Sequence, residues 1–302
     1  MSGDSTGKIL GRHAKEVLSV SWSPNGQYIA SGGADKYLIV WDVRELKQYR
    51  MLGGSKKAVT VAFWSPDTKY VGCGGEDLAI YIWEVDTGFL HGTLKGSTDV
   101  ITGVSWDPSG KMLACSSLDR ALRIWDLASK ECSIVLRGHE GGITDVSWRR
   151  DGKVIASCGE DKTVIVWNAE KWSMIRMLRG HIDTVSSVDF NPTGNLIASG
   201  GKDKTIRIWT FGLWRTIKVL KSEAPINRLR WSPNGEYIAA ACEDGVIRVW
   251  NAKNGELMKK YEGHTGSATS VDWSPDGSML VSSSMDYTIR LWQFTTEASE
   301  TE

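Results

Sequence analysis

An all-β propeller of seven blades, each of four antiparallel strands, is the fold this sequence predicts, and three observations predict it. Apolar runs ending in tryptophan recur at Trp41, Trp83, Trp125, Trp167, Trp209, Trp250 and Trp292, spaced 42, 42, 42, 42, 41 and 42 residues. An aspartate lies six residues before each, at Asp35, Asp77, Asp119, Asp161, Asp203, Asp244 and Asp286. No segment sustains a helical period, and a repeat of roughly 40–45 residues with four short strands is the pattern of propeller blades.

The fourth unit shows how each element follows. The run "ITDVSW" (143–148) reads as the first strand, "RRDG" as a turn and "KVIASC" (153–158) as the second strand. The aspartate turn, the apolar run "TVIVW" (163–167) and "SMIRML" (173–178) complete it. β-Branched and aromatic residues fit pleated, buried surfaces, and Gly, Asp and Asn mark the turns between them. The last unit stops after its third strand, "TIRLWQF" (288–294), while "GKIL" (7–10) resembles the fourth strand of other units, such as "SIVL" (133–136). The first strand is therefore expected to complete the last blade, which removes two free sheet edges. The propeller is assigned to residues 1–294 and a short acidic tail to 295–302.

Composition narrows the function. Thirty-six Lys plus Arg balance thirty-six Asp plus Glu, so no global field steers the chain to nucleic acid or anionic lipid. The start, "MSGDSTGKIL", lacks the apolar core of a secretory signal, and no run approaches the length of a membrane span. Five cysteines in an odd set without CxxC spacing fit reduced thiols better than disulfides or zinc. A cytoplasmic or nuclear setting is expected. Hydrolase, metalloprotease, nucleotide-loop and dinucleotide motifs do not occur, so the chain is read as not an enzyme, with no cofactor and no metal site. His91, in "FLHGTL", is read as an ordinary strand residue.

Gly138-His139 with Trp167, Gly180-His181 with Trp209, Gly263-His264 with Trp292, and "GRH" (11–13) with Trp41-Asp42 resemble the WD40-repeat family. The resemblance runs over nearly the whole chain. It implies a hydrogen-bonded chain of His, Ser or Thr, Asp and Trp inside each blade: His13, Ser31, Asp35 and Trp41; His139, Ser157, Asp161 and Trp167; His181, Ser199, Asp203 and Trp209; His264, Ser282, Asp286 and Trp292. Blades 2 and 3 carry Ser55 and Ser97 for the histidine and Cys73 and Cys115 for the serine, and blade 6 lacks the histidine and has Ala240. Their networks are expected to be incomplete and the blades locally softer.

Scaffolding is what the resemblance implies, with proteins or short peptide motifs as partners and a monomeric propeller working within a hetero-complex. It places three exposed positions per blade on the face of the aspartate turns. Here these give Glu16, Leu18, Glu76, Val100, Leu118, Glu160, Lys202, Glu243 and Met285, a mixed acidic and apolar mouth suited to a basic side chain beside an apolar anchor. On the opposite face, Trp172 and Trp214 stand five residues past their strand tryptophans, where blades 2 and 6 have Gly88 and Gly255. Glycine suits a positive φ and tryptophan does not, so these two turns are expected to adopt another conformation. Arg149, Arg150, Lys171 and Arg215 surround them, a composition fitting a protein hot spot or, less well at zero net charge, RNA or a phosphoinositide. Finally, "WDVR" (41–44) resembles the motif by which some WD-repeat proteins dock on the adaptor of cullin-type ubiquitin ligases. Arg44 would be its critical residue.

Overall fold

The computed structural model describes residues 7–295. The proposed tail, apart from Thr295, lies outside the described residues. Among the described residues, twenty-eight strands form seven four-stranded antiparallel sheets. Blade 4 is typical, running from an inner strand Ile143–Trp148 through Val154–Gly159 and Thr163–Asn168 to an outer strand Ser173–Arg179. Its third strand is buried along Thr163–Trp167 because a neighbouring blade covers each of its faces. Outer strands are mostly exposed or part-buried, as in Glu131–Arg137 and Ser173–Arg179. The ring closes where the N-terminal strand Lys8–Arg12 pairs antiparallel with Thr288–Gln293, bringing Lys8 opposite Leu291.

Two irregularities repeat in the blades and set up the sites. The first is an unpaired residue near the start of every inner strand: Leu18, Thr60, Thr102, Thr144, Ser186, Asn227 and Thr269 each interrupt the register with the second strand. Such bulges turn a side chain out of the ladder. The second lies at the tryptophan end of the third strand, as between Val166 and Trp167. Beyond it the chain turns with a left-handed residue, which is Leu46, Gly88, Lys130, Trp172, Trp214 or Gly255 in blades 1 to 6.

Trp172 has φ +54° and Trp214 has φ +56°, beside +73° at Gly88 and +87° at Gly255. The expectation of a different turn is therefore corrected. A side chain in this region costs about 1–2 kcal/mol, and packing offsets it. Trp172 is half-buried against the cluster joining blades 3 and 4, with its ring edge-on to Trp148 at 6.5 Å. Trp214 does the same between blades 4 and 5, edge-on to Phe211 at 4.8 Å. Each ring is a wedge in a seam between blades.

Candidate functional site

The aspartates define the upper face. In blade 4, His139 Nδ1 lies 2.8 Å from Asp161 Oδ2, His139 Nε2 lies 2.8 Å from Ser157 Oγ, and Trp167 Nε1 donates to Ser157 Oγ at 2.8 Å. The same chain joins His13, Ser31, Asp35 and Trp41, then His181, Ser199, Asp203 and Trp209, then His264, Ser282, Asp286 and Trp292. Because a carboxylate only accepts, Nδ1 carries the proton, Nε2 accepts from the serine hydroxyl, and that oxygen accepts from the indole. Burial alone would raise the Asp161 and Asp203 carboxyls. The histidines outweigh it and hold both well below the ordinary carboxylate range. Burial lowers His13 and His264, and their aspartates only partly compensate.

Blades 2, 3 and 6 lack the histidine, yet their aspartates are clamped by the residue four positions on. Tyr81 Oη donates to Asp77 at 2.9 Å, together with Ser55 Oγ at 2.9 Å. Arg123 meets both oxygens of Asp119, at 3.0 and 2.7 Å, and Arg248 meets both of Asp244, at 2.9 and 2.6 Å. In blades 3 and 6 a fork of two charge-assisted bonds replaces one imidazole bond, whereas Asp77 in blade 2 takes both hydroxyl donors on Oδ2 and keeps Oδ1 buried without a hydrogen-bond partner. The expected incompleteness therefore shows in blade 2 at Asp77 and in blade 3 at the indole. Trp125 Nε1 is buried without an acceptor, and Cys115 stands where other blades have serine.

Each clamped turn is docked onto its inner strand by one backbone bond. Ala34 N donates to Glu16 O, Glu76 N to Ala58 O, Leu118 N to Val100 O, and Glu160 N to Gly142 O. Lys202 N, Glu243 N and Met285 N bond likewise to Thr184 O, Pro225 O and Ser267 O. The side chains just before the aspartates are therefore presented from fixed backbone around the channel mouth. Inside them runs a girdle that the sequence reading missed. Thr60, Thr102, Thr144, Asn227 and Thr269, all bulge residues, each donate from the side chain to a carbonyl of the next blade. The signal was present as threonine at 42-residue spacing. Leu18 is the one apolar residue at this bulge position.

The mouth is not uniformly acidic. Lys202 pairs with Glu243 and bonds Asn227 Oδ1 at 2.8 Å, so Glu243 is neutralised beside a cavity of about 500 Å³ that Met285 also lines. Glu160 accepts from Gly142 N at 3.1 Å, and the missing side chain of Gly142 lets Leu118 close against it. Glu16 and Glu76 have no ion pair among the described residues. Val100 is half-buried at the start of the adjoining inner strand.

Buried charge, also unread in the sequence, lines the channel below. Asp145 is fully buried and accepts from Ser187 Oγ at 2.8 Å and Val188 N at 3.1 Å, with Arg228 at 3.1 Å. Burial lifts Asp272 to about 6 even with Arg230 nearby. On the lower face Arg149 is tied to Asp151 at 2.6 Å and stacks on Phe211 at 4.3 Å. Arg150 is exposed at the rim of the lower channel cavity, with Lys171 and Arg215 exposed on the neighbouring turns. Arg44 is exposed in the blade 1 turn that Asp42 caps.

Seven repeats built around these aspartate clamps are a WD40 propeller, and the chain belongs to that family. Residues 5–42, 46–84 and 88–126 match the WD domain, G-beta repeat, and residues 119–302, more than half of the chain, match the IFT122 first beta-propeller family. Among curated proteins, Protein HIRA of Caenorhabditis elegans is 50% identical over 38 residues, which is 13% of this chain and 4% of that protein. This chain therefore matches only a small part of that relative's length. The WD40 propeller is a protein-interaction scaffold type and typically non-catalytic. No helix long and apolar enough to cross a membrane occurs among the described residues.

Proposed function

We propose that the chain is a non-catalytic scaffold or adaptor subunit of an intracellular multiprotein assembly, and that it holds a short partner segment over the upper mouth. One observation carries the reading. The ring of turns is locked by a repeated backbone bond and displays two unpaired carboxylates, Glu16 and Glu76, at the blade 1 to blade 2 sector where Leu18 replaces the polar girdle. A preorganised surface loses little entropy on binding, and a carboxylate pair beside an apolar residue suits a Lys or Arg flanked by an apolar side chain. The likeness to the IFT122 first beta-propeller family and, over 38 residues, to Protein HIRA supports a place within a larger complex.

Affinity purification of the tagged chain, in parallel with a Glu16→Lys, Glu76→Lys variant, tests it. Partners should be recovered with the parent and reduced about tenfold or more with the variant, since like charges across an interface cost several kcal/mol. Equal recovery by a folded variant would move recognition elsewhere.

A further inference from the structure

Trp172 shows what one seam between blades accepts, and the preceding seam lacks it. Between blades 3 and 4, Trp172 and Ile134 of the facing outer strand both pack on the shared cluster. Between blades 2 and 3 the corresponding residues are Lys130 and Gly92, in the same turn and strand register. Lys130 lays its thin stem across Gly92 and bonds the carbonyl of His91 at 2.6 Å, so neither residue supplies the bulk that Trp172 and Ile134 bring to the next seam.

What remains is a cleft of about 360 Å³ lined by Tyr70, Ile82, His91, Trp106, Leu127 and Gly110, among others. Its size falls in the range of ligand pockets, roughly 300–1,000 Å³. Tyr70 and His91 make one wall, ring centroids 4.5 Å apart. Trp106 Nε1 is buried there without an acceptor, whereas Trp148 of the next blade donates to Gly152 O at 3.0 Å. Phe89, two residues before His91, is 76% exposed.

The rim is basic. Lys111 lines it and has no ion pair among the described residues, and Lys130 holds its ammonium over the same edge. Asp126, the acidic residue in the lining, turns one carboxylate oxygen to Ala128 N and Ser129 N at 2.9 Å each, and the two lysines outnumber its single charge.

We infer that the cleft between blades 2 and 3 takes an aromatic side chain flanked by carboxylates from a partner polypeptide, the ring lying where Trp172 lies in the next seam. This is a second recognition site, on another part of the surface from the upper mouth and of opposite charge preference. An aromatic ring seated in a desolvated pocket beside paired charges is the usual anchor of a protein interface.

The probe is a fluorescein-labelled peptide Glu-Asp-Trp-Asp-Glu, followed by anisotropy against the full chain. Binding is expected below about 1 mM, with about tenfold loss on replacing the peptide Trp by Ala or its acids by Lys. Lys130→Trp should plug the cleft and abolish binding. It introduces no new backbone demand, because Lys130 already has φ +59° and Trp172 adopts +54°. Lys111→Glu, an exposed change, should weaken binding about tenfold through charge alone. Glu76→Lys should leave binding unchanged, which separates this site from the upper mouth. No binding, equal binding of the Ala peptide, or full binding by both Lys130→Trp and Lys111→Glu would overturn the inference.

Discussion

Blades 4 and 6 hold the same aspartate in different ways. In blade 4, Asp161 receives one bond from a buried imidazole that passes its polarity on to Ser157 and Trp167. In blade 6, Asp244 faces the fully charged Arg248, whose side chain is 2% exposed and which also reaches Glu223 at 2.9 Å. What the repeat preserves is an anchored carboxylate at the upper turn. The donor that anchors it changes, and so does the cost of losing it.

The largest effect should come from the sheet that both kinds of clamp serve. Blade 7 has a complete histidine chain, yet its outer strand is Lys8–Arg12 from the other end of the molecule. Removing residues 1–12 strips His13 of its flanking strand and exposes an edge. The denaturant midpoint should fall by far more than for trimming a disordered end. An unchanged midpoint would mean that the histidine chain alone holds the blade.

Next in size is the aspartate itself. Asp244→Ala takes two charge-assisted bonds from a buried guanidinium that keeps Glu223, and with Asp244 itself 35% exposed the loss should be about 2–3 kcal/mol. Asp161→Ala leaves the imidazole, the Thr163 hydroxyl and two backbone N–H groups without their acceptor, at roughly 1–3 kcal/mol. Asp244→Ala should thus cost at least as much as Asp161→Ala, against what the absence of a histidine suggests. A clearly smaller loss in urea unfolding would show that Arg248 is not relying on Asp244.

Acid should separate the two kinds of blade by a smaller amount. The folded pKa values of His13 and His264 lie below 6.5, so the folded state binds fewer protons than the unfolded chain. Their contribution is present above pH 6.5 and is lost as pH falls below it toward the folded values. Asp119 and Asp286, each held at about 2 from an ordinary 3.8, add losses only at lower pH, as acid approaches their folded values. The midpoint should therefore decline between about pH 7 and pH 5.5, with a shallower decline in His264→Gln. A midpoint that rises over that range would contradict the assignment.

Much of this architecture is carried by period, and period is what a sequence displays. Seven tryptophans and seven aspartates in step placed the blade 4 strands within a residue of their observed positions, and the shape of residues 7–10 pointed to ring closure. The substitute clamps were hidden for a physical reason. Arg207 and Arg290 occupy the same register as Arg123 and Arg248 in blades that keep their histidine, so residue type at that position does not reveal its partner. Trp172 and Trp214 were misread because a local backbone preference was weighed alone, while the seam that the ring fills is formed by another blade. In the mouth, position was readable from the repeat, but neutralisation of Glu243 by Lys202 depends on two adjacent turns meeting in space.

The claim that one anchored carboxylate is common to all blades, with only its donor exchanged, is tested by swapping donors in blade 3. Arg123→Met should destabilise the protein by about 2 kcal/mol or more, by leaving Asp119 buried without its fork. Adding Ser97→His and Cys115→Ser supplies the imidazole and hydroxyl of blade 4, giving Asp119 a donor and Trp125 Nε1 an acceptor. The measurement is the urea midpoint of the triple variant against the single one. Recovery of most of the lost stability is the predicted result. A triple variant no more stable than Arg123→Met would contradict the account.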